Sequence, residues 1–572
     1  MDRKRLAALV AEGIDSGMVS TRDGINRLKA RLGKKSLREL PSNPDLLALV
    51  EKPSVKARQL LGAKPTRTIS GVAAVAIMTR PKDCEHGTCI FCPGGENSFF
   101  GSVPKSYTGN EPATMRAIAN HFDPYLQVKS RLLQYVLTGH SPQKIELIVM
   151  GGTFPSFGWE YQKEFVAGAF RAMNDFSGEF FSHGKLEFEK AVQAQGKKIV
   201  APENSGPGIE AEKEENEQAN VKCVALCIET KPDWCMEPHI DRMLELGTTR
   251  VELGIQGLDD KVLKFANRGH TARESVEATR LLKDSGLKVT YHMMPGLPLS
   301  SRENDLADFR ELFENPDFRP DALKIYPCMV MPGTPLERLW REGKFTPLSN
   351  EDAAEIIAEG KRFVPKWCRI QRIQRDIPSK LAVAGKFDNN LRQVVEKKTR
   401  EKGIECQCIR CREIGLKARD GKIDEEKLRP EIVVDEYGAS GGVEFFISFE
   451  DKKQNALLGF CRLRLPFQPF RKELRGETAV VRELHVFGKA AALGETNEGG
   501  VQHHGIGKTL LAKAEEIAFK EYCKKRLCVI SGIGAREYYY RLGYEKLGAF
   551  VVKDSAYRAR IHDKSDSTEF SR

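Results

Sequence analysis

Cys84-Glu-His86-Gly-Thr-Cys89-Ile-Phe-Cys92-Pro93-Gly94-Gly95 is the stretch on which the reading of this chain turns. Three cysteines spaced C-x4-C-x2-C on a short loop can supply thiolates to three irons of a four-iron, four-sulfur (4Fe-4S) cluster, because cysteine is the ligand such clusters use. The fourth iron then lacks a protein ligand and is open to a small molecule. S-adenosylmethionine (SAM) is the candidate that brings radical chemistry. A structural zinc ion is the other reading of the same loop. Zinc wants four ligands, and His86 is available as the fourth.

The surroundings of the loop set the fold class. An apolar run, Gly71-Val-Ala-Ala-Val-Ala-Ile-Met78, leads straight into it, and a strand end is a good place to fix a reactive loop. Further apolar runs follow at intervals: Ile145–Met150, Val221–Ile228, Thr249–Ile255, Leu287–Tyr291 and Ala322–Tyr326. Helical patterns lie between them. Alternation of this kind predicts a parallel α/β sheet, wholly or partly closed as a barrel. The runs end in polar or glycine-rich residues, among them Gly151-Gly152-Thr153, Glu229-Thr-Lys231 and Gln256. Those ends are where such folds place their sites. Residues 183–220, with Ala-Glu-Lys-Glu-Glu-Asn-Glu, break the rhythm and read as an exposed, charged insertion.

At 572 residues the chain is long enough for about two to four domains. It has no run of about 18 apolar residues and so no expected membrane span. The basic N-terminus lacks the apolar core of a signal peptide. The 14 cysteines cluster at 84/89/92 and 406/408/411, which suggests metal sites in a reducing cytoplasm rather than disulfides. Net charge is +11, unevenly placed: residues 1–70 carry 15 Lys and Arg against 7 Asp and Glu, and residues 366–420 carry the same numbers. Two basic segments on a mildly acidic body fit a polyanionic partner, nucleic acid above all.

Residues 1–70 show helical spacing at Leu6, Leu9, Val10 and Ile14, then at Ile25, Leu28 and Leu32, with Thr21 placed to cap the second helix. Residues 71–350 hold the alternating runs. Residues 351–425 read as a helical, basic linker containing Arg369-Ile-Gln-Arg372-Ile-Gln-Arg375. Cys406-Gln-Cys408-Ile-Arg-Cys411 within it suits zinc, with Cys328, Cys368 or Cys461 as possible fourth ligands. From 426 to 572 short strands precede Gln502-His503-His504-Gly505-Ile506-Gly507-Lys508, where glycines open a helix and can cradle a pyrophosphate. With Tyr538-Tyr539-Tyr540 downstream, this part has the look of an acyl-coenzyme-A-binding acetyltransferase of the GNAT type. A tyrosine phenol near the thiol can protonate a leaving thiolate.

Together these residues resemble the catalytic subunit of Elongator in its stand-alone form. The similarity runs from about residue 70 to 550. It rests on the cysteine loop, Ser106-Tyr-Thr-Gly-Asn-Glu-Pro112, Met150-Gly-Gly-Thr153, Ile228-Glu-Thr-Lys-Pro-Asp233 and Glu252-Leu-Gly-Ile-Gln256. It extends to Gln374-Arg-Asp-Ile-Pro378, Arg482-Glu-Leu-His-Val486, Gln502–Gly507 and Tyr538-Tyr539. The first cysteine gap is one residue longer than the common C-x3-C, and Tyr540 extends the family's tyrosine pair. The resemblance implies a partial TIM-like radical-SAM barrel followed by a GNAT-type domain. It implies an enzyme that forms 5-carboxymethyluridine at the wobble position of tRNA. The implied chemistry is reductive cleavage of SAM on the cluster of Cys84, Cys89 and Cys92, hydrogen removal from the methyl of acetyl-CoA, addition to uracil and thioester hydrolysis. By position, Gly151, Gly152, Thr153, Glu229, Lys231 and Gln256 line the SAM pocket. Glu483, Leu484, His485, Val486, Gln502–Lys508 and Tyr538 hold CoA, and Tyr538, Tyr539 and Tyr540 are the candidate phenols. An electron donor is a further partner, and the oligomeric state stays open, a homodimer being one option. The acetyl methyl must come within about 3–4 Å of the adenosyl carbon, so the acetyltransferase domain is expected to face the strand C-terminal ends. The alternative is a protein lysine acetyltransferase with a structural cluster.

Overall fold

The computed structural model describes residues 2–33, 40–50, 53–62, 71–203, 206–388, 390–487 and 505–555. Its central sheet has seven strands: β1 (Ala73–Met78), β2 (Lys144–Met150), β3 (Lys222–Thr230), β4 (Arg250–Gln256), β5 (Lys288–Met293), β6 (Ala322–Ile325) and β7 (Arg369–Ile373). They lie in chain order and every neighbouring pair is parallel. Among the described residues no β7–β1 pairing closes the ring, so the sheet is a half-barrel. β2 shows why the chain folds this way. Ile145, Leu147 and Val149 are fully buried in the main core, while Glu146, Ile148 and Met150 point to the concave face and stay half-buried.

Two expectations are corrected here. Arg369–Ile373, read as helical, is the seventh strand, carried into the sheet by Ile370 and Ile373, both buried. The segment 183–220 is only partly an exposed insertion. Its helix Ile209–Gln218 packs on the long helix Trp159–Phe180, with Glu212, Lys213 and Asn216 buried. The Asn174 amide donates to the Glu212 carboxylate and backbone carbonyl, and Asn216 donates to Asn174, so the polar groups are satisfied although buried.

Among the described residues four helices stand before the barrel, Arg3–Asp15, Arg22–Gly33, Asn43–Leu49 and Val55–Leu61. Leu6, Val10, Ile14, Ile25 and Leu28 are buried, whereas Leu9 stands exposed. The Gly24 N–H donates to Thr21 Oγ1 at 3.1 Å, the expected cap. Among the described residues no helix is long and apolar enough to cross a membrane.

A second sheet follows: β8 (Glu431–Ala439), β9 (Gly442–Asp451), β10 (Ala456–Leu465), β11 (Thr478–Val486), β12 (Arg526–Val529), β13 (Glu545–Leu547) and β14 (Phe550–Asp554), in the order β8-β9-β10-β11-β12-β14-β13. Among the described residues only β11 and β12 of this sheet pair in parallel, from Thr478–Val481 to Arg526–Val529. β11 then runs on beside β10 while β12 stops, so the two part as a wedge.

This second domain docks on the N-terminal ends of the barrel strands, not on the C-terminal ends as proximity suggested. Arg482 donates to both Asp321 oxygens (2.6 and 2.9 Å) and to the Leu287 carbonyl, just before β6 and β5. Arg464 bonds Asp284 at 2.6 Å, and Arg462 donates to the Trp367 carbonyl just before β7. Glu444 takes Arg482 at 2.9 Å and Arg464 at 3.0 Å. All these side chains are buried. Burial works against the Asp321 charge, but Arg482, Lys283 and Arg462 more than offset it and hold the carboxyl far below its ordinary range. Glu444 is lowered in the same way by Arg482, Lys283 and Arg464.

Both carboxyls ionise more readily folded than unfolded. Their contribution is therefore complete above the ordinary carboxylate range and is lost as pH falls below about 4. Arg482→Met should cost about 3–5 kcal/mol by leaving these charges buried and unpaired. Urea melts at pH 7 and pH 4 check this: the gap between wild type and variant should narrow at the lower pH.

Candidate active site

The cysteine loop follows β1 and lies over the C-terminal ends of the strands. Helices and strands bring to it one chamber lined by Cys84, Cys89, Cys92, Gly152, Thr153, Glu229, Lys231 and Gln256, all expected from sequence. Two glycines make this closeness possible. Gly151, at φ +124°, lets the end of β2 pass Thr79, whose Oγ1 would stand 2.3 Å from a Cβ there. Gly269, at φ +67°, lets the loop after helix Asp260–Phe265 pass His86, whose Cβ would stand 2.6 Å away.

Polar groups converge on the sulfurs. Arg268 Nη1 donates to Cys89 Sγ at 3.2 Å, and the Ser106 N–H donates to Cys92 Sγ at 3.3 Å. Lys231 Nζ donates to His86 Nδ1 at 2.9 Å, which leaves Nε2–H to face Cys89 Sγ at 3.4 Å. Burial, then Lys231, pushes the His86 pKa down to about 4. His86 is thus a neutral donor beside the thiolates. Burial, then the neighbouring cysteines, raises Cys84; burial and Cys89 raise Cys92. A cationic centre is what would stabilise three thiolates here.

The spacing separates the two cysteine sets. The sulfurs of Cys406, Cys408 and Cys411 all lie within 4.8 Å of one another, as ligands of one small ion must. Among the described residues Cys84, Cys89 and Cys92 do not form such a set, in keeping with ligands spread over different irons. Hydrogen bonds from Arg268 and Ser106 suit cluster sulfur ligands, which are tuned by such donors. Among the described residues none of Cys328, Cys368 and Cys461, the three possibilities for a fourth ligand, falls within that 4.8 Å set. Cys368 comes nearest by backbone, its carbonyl accepting from the Ile409 N–H at 2.9 Å.

Below the cysteines lies a charged layer that sequence reading missed. Glu252, fully buried, receives His292 Nε2 at 2.8 Å, Arg250 at 3.2 Å and the Lys324 ammonium. Tyr107 donates to Glu229 at 3.0 Å. Gln256 is held at φ +75° with its Oε1 unpartnered, a strained backbone at a site-facing residue. Arg375 donates to the Ser106 carbonyl and lies over the Tyr107 and Tyr326 rings. The only signal for His292 and Lys324 was strand parity, which points positions 252, 292 and 324 to one face; Arg268, on the turn after helix Asp260–Phe265, had none. In the Ser106–Pro112 motif Ser106 and Tyr107 line the chamber, whereas Glu111 accepts from Thr108 and Thr114 in its own turn.

In the second domain, Leu484, His485 and Tyr539 line a cavity at the β11–β12 wedge. Helix Ile506–Glu516 begins after Gly505. A Cβ at Gly507 would lie 3.0 Å from the Tyr538 hydroxyl and 3.7 Å from Val486, so these expected residues meet. Gln502, His503 and His504 lie outside the described residues. Glu483 is held by Arg462 at 2.9 Å and Lys288 at 3.2 Å. The three tyrosines part company. Burial pushes Tyr538 up to about 12, Tyr539 faces the cavity, and Tyr540 donates to Glu217 of the barrel at 3.3 Å.

Gly269→Ala should cost about 1 kcal/mol or more in backbone strain and push His86 off the cysteine loop. After anaerobic iron and sulfide loading, the expected result is less iron per chain than wild type; an unchanged iron content would show that the close approach is not needed.

The sequence matches the Radical SAM superfamily over residues 80–310, the Radical_SAM C-terminal domain over 320–401 and the acetyltransferase (GNAT) family over 418–544. It is 48% identical over 516 residues to a tRNA uridine(34) acetyltransferase of Methanocaldococcus infernus, covering 90% of this chain and 91% of that one. It is 39% identical to Elongator complex protein 3 of Schizosaccharomyces pombe, covering 96% and 98%. The archaeal Methanocaldococcus infernus Elp3 with an N-terminal deletion superposes with a TM-score of 0.70 at 42% identity, covering 85% of this chain and all of that one. The chain therefore belongs to the family of Elongator complex protein 3 and the tRNA uridine(34) acetyltransferases, radical-SAM proteins that carry a GNAT domain.

Proposed function

We propose that this protein modifies the wobble uridine of tRNA at carbon 5, using SAM and acetyl-CoA, to form 5-carboxymethyluridine. The observation that carries the reading is the pairing of a cluster-spaced cysteine chamber with an acetyltransferase wedge on one rigid frame. A lysine acetyltransferase would need the wedge alone and would leave the chamber without work.

A 4Fe-4S cluster on Cys84, Cys89 and Cys92 supplies, when bound, the reductive cleavage of SAM. The chain's own residues do the rest of the binding. Arg268 and neutral His86 donate toward the sulfurs. Gln256 and Glu229 offer acceptors into the chamber, and Lys231 a cation. Gly505, Ile506, Gly507 and Lys508 present helix N–H groups to the CoA pyrophosphate. Leu484 and His485 flank its arm, and Tyr538 or Tyr539 is the phenol nearest the thioester. Tyr540 is tied to Glu217 and holds the domains together. Exposed Arg3, Arg5, Arg27 and Arg31, with Lys380, Lys397 and Arg400, offer phosphate contacts to tRNA.

Anaerobic protein loaded with iron and sulfide, given reductant, SAM, acetyl-CoA and tRNA, should yield 5-carboxymethyluridine by nucleoside mass spectrometry. Acetyl-lysine formed without SAM would overturn the reading in favour of the alternative. Zinc on Cys406, Cys408 and Cys411 fits the close sulfur spacing. Cys408→Ser should release that zinc, lower the unfolding midpoint and leave iron loading at Cys84, Cys89 and Cys92 intact; unchanged metal content and midpoint would count against it.

A further inference from the structure

The docking geometry raises a problem that its own interior answers. The acetyltransferase wedge sits at the strand N-terminal ends and the cysteine chamber at the C-terminal ends. Along β5 they are separated by five residue steps, roughly 17 Å at the usual strand rise. In a closed α/β barrel that distance is filled by layers of Val, Ile and Leu. Here the concave face carries Ala74, Ala225, Thr290 and Ala322, together with Glu146 and Arg250. Small side chains leave room, and the result is a cavity of about 350 Å³ that continues into the wedge at Leu484, His485 and Tyr539.

The walls of this cavity hold polar atoms with nothing to bind. Thr290 Oγ1, Arg250 Nε and His485 Nε2 are all buried without a hydrogen-bond partner. Thr290 is 1% exposed and Arg250 6%. Such groups are costly unless something fills the space between them. Arg250 reaches Glu146 at 2.8 Å and Glu252 at 3.2 Å. Glu252 lines the cysteine chamber and Arg250 the lower cavity, so their ion pair is the partition between the two.

We propose that the hollow of the half-barrel is the passage through which the acyl end of the thioester reaches the cysteine chamber, with the Glu146–Arg250–Glu252 pairs as its gate. The proposal rests on the reading of function above and deepens it. The thioester carbonyl takes the place of the missing partner to Arg250 Nε and Thr290 Oγ1. The pantetheine arm enters along the wedge edge left open beyond Val481 and Val529. Arg250 is a positioning residue, exchanging Glu252 for the carbonyl as the acyl end passes.

Bromoacetyl-CoA tests this in the full chain without cluster, SAM or tRNA, since its electrophilic carbon stands where the acetyl methyl does. In Thr290→Cys the introduced thiolate displaces bromide: a C–S bond forms, the C–Br bond breaks and the thiol proton goes to solvent. Peptide mass spectrometry should find this introduced thiol alkylated about tenfold or more faster than the exposed native Cys523, because a bound reagent reacts at high effective concentration. Excess acetyl-CoA should suppress labelling at position 290 and not at Cys523. Val289→Cys, one residue along on the opposite face of β5, should stay unlabelled. If Thr290→Cys does not fold, Ala225→Cys on the same wall carries the same expectation. Labelling no faster than at Cys523, or insensitive to acetyl-CoA, overturns the passage. Wild-type nucleoside analysis keeps the two readings apart: carboxymethyluridine without labelling at position 290 sinks the passage alone, and labelling without carboxymethyluridine supports the passage while sinking the proposed product.

Discussion

The buried ion pairs between Arg482, Arg464 and Arg462 and the carboxylates of Asp321, Glu444, Asp284 and Glu483 fix everything else in this molecule. Charges removed from water are tolerated only where partners are close and further hydrogen bonds use up the remaining donors. Here Arg482 and Arg464 find carboxylates and backbone carbonyls together in the observed placement of the two sheets. Asp284 also takes the backbone N–H groups of Phe467 and Gln468, and Trp367 stacks on Tyr437 with ring centres 4.4 Å apart. A sliding apolar interface would allow the domains many near-equal positions. A buried ionic one penalises every displacement that unpairs a charge.

That rigidity has a functional meaning because the two candidate sites are at opposite ends of the same half-barrel. Helix Ile209–Gln218 adds to it through Glu217, which takes Arg536 at 2.9 Å and the Tyr540 hydroxyl. The acetyltransferase wedge is thus held open toward the barrel floor. The hollow between the sites is chemically unlike a packed barrel core, and its polar walls are the natural counterpart of a thioester arm. Cooperation between two chemistries then depends less on domain motion than on a few side chains within a fixed shell.

Much of this was legible in the residues. The cysteine loop, the strand–helix alternation and the glycine-opened helix at 505 are local patterns, set by ligand spacing, side-chain period and backbone freedom. They were enough to point to both domains and to the chamber residues Gly152, Thr153, Glu229, Lys231 and Gln256. Arg268 was not legible, because nothing in Asn267-Arg268-Gly269-His270 says that a turn will carry it to Cys89. The strand at 369–373 was missed because its arginines and glutamine outnumber its two isoleucines. Helix 209–218 was misread because a run of carboxylates looks solvated until one sees which of them find buried amides.

By itself the sequence determined which elements form and which ligands are available, since both follow from neighbours a few residues apart. Only the tertiary structure decided which end of the barrel the second domain covers. Asp321 and Arg482 are 161 positions apart in the chain, and no local spacing records that they meet. The same holds for the interior. Alternation places Glu146, Arg250, Thr290 and Lys324 on a concave face, but only docking of the wedge makes that face the wall of a cavity with unpartnered polar atoms.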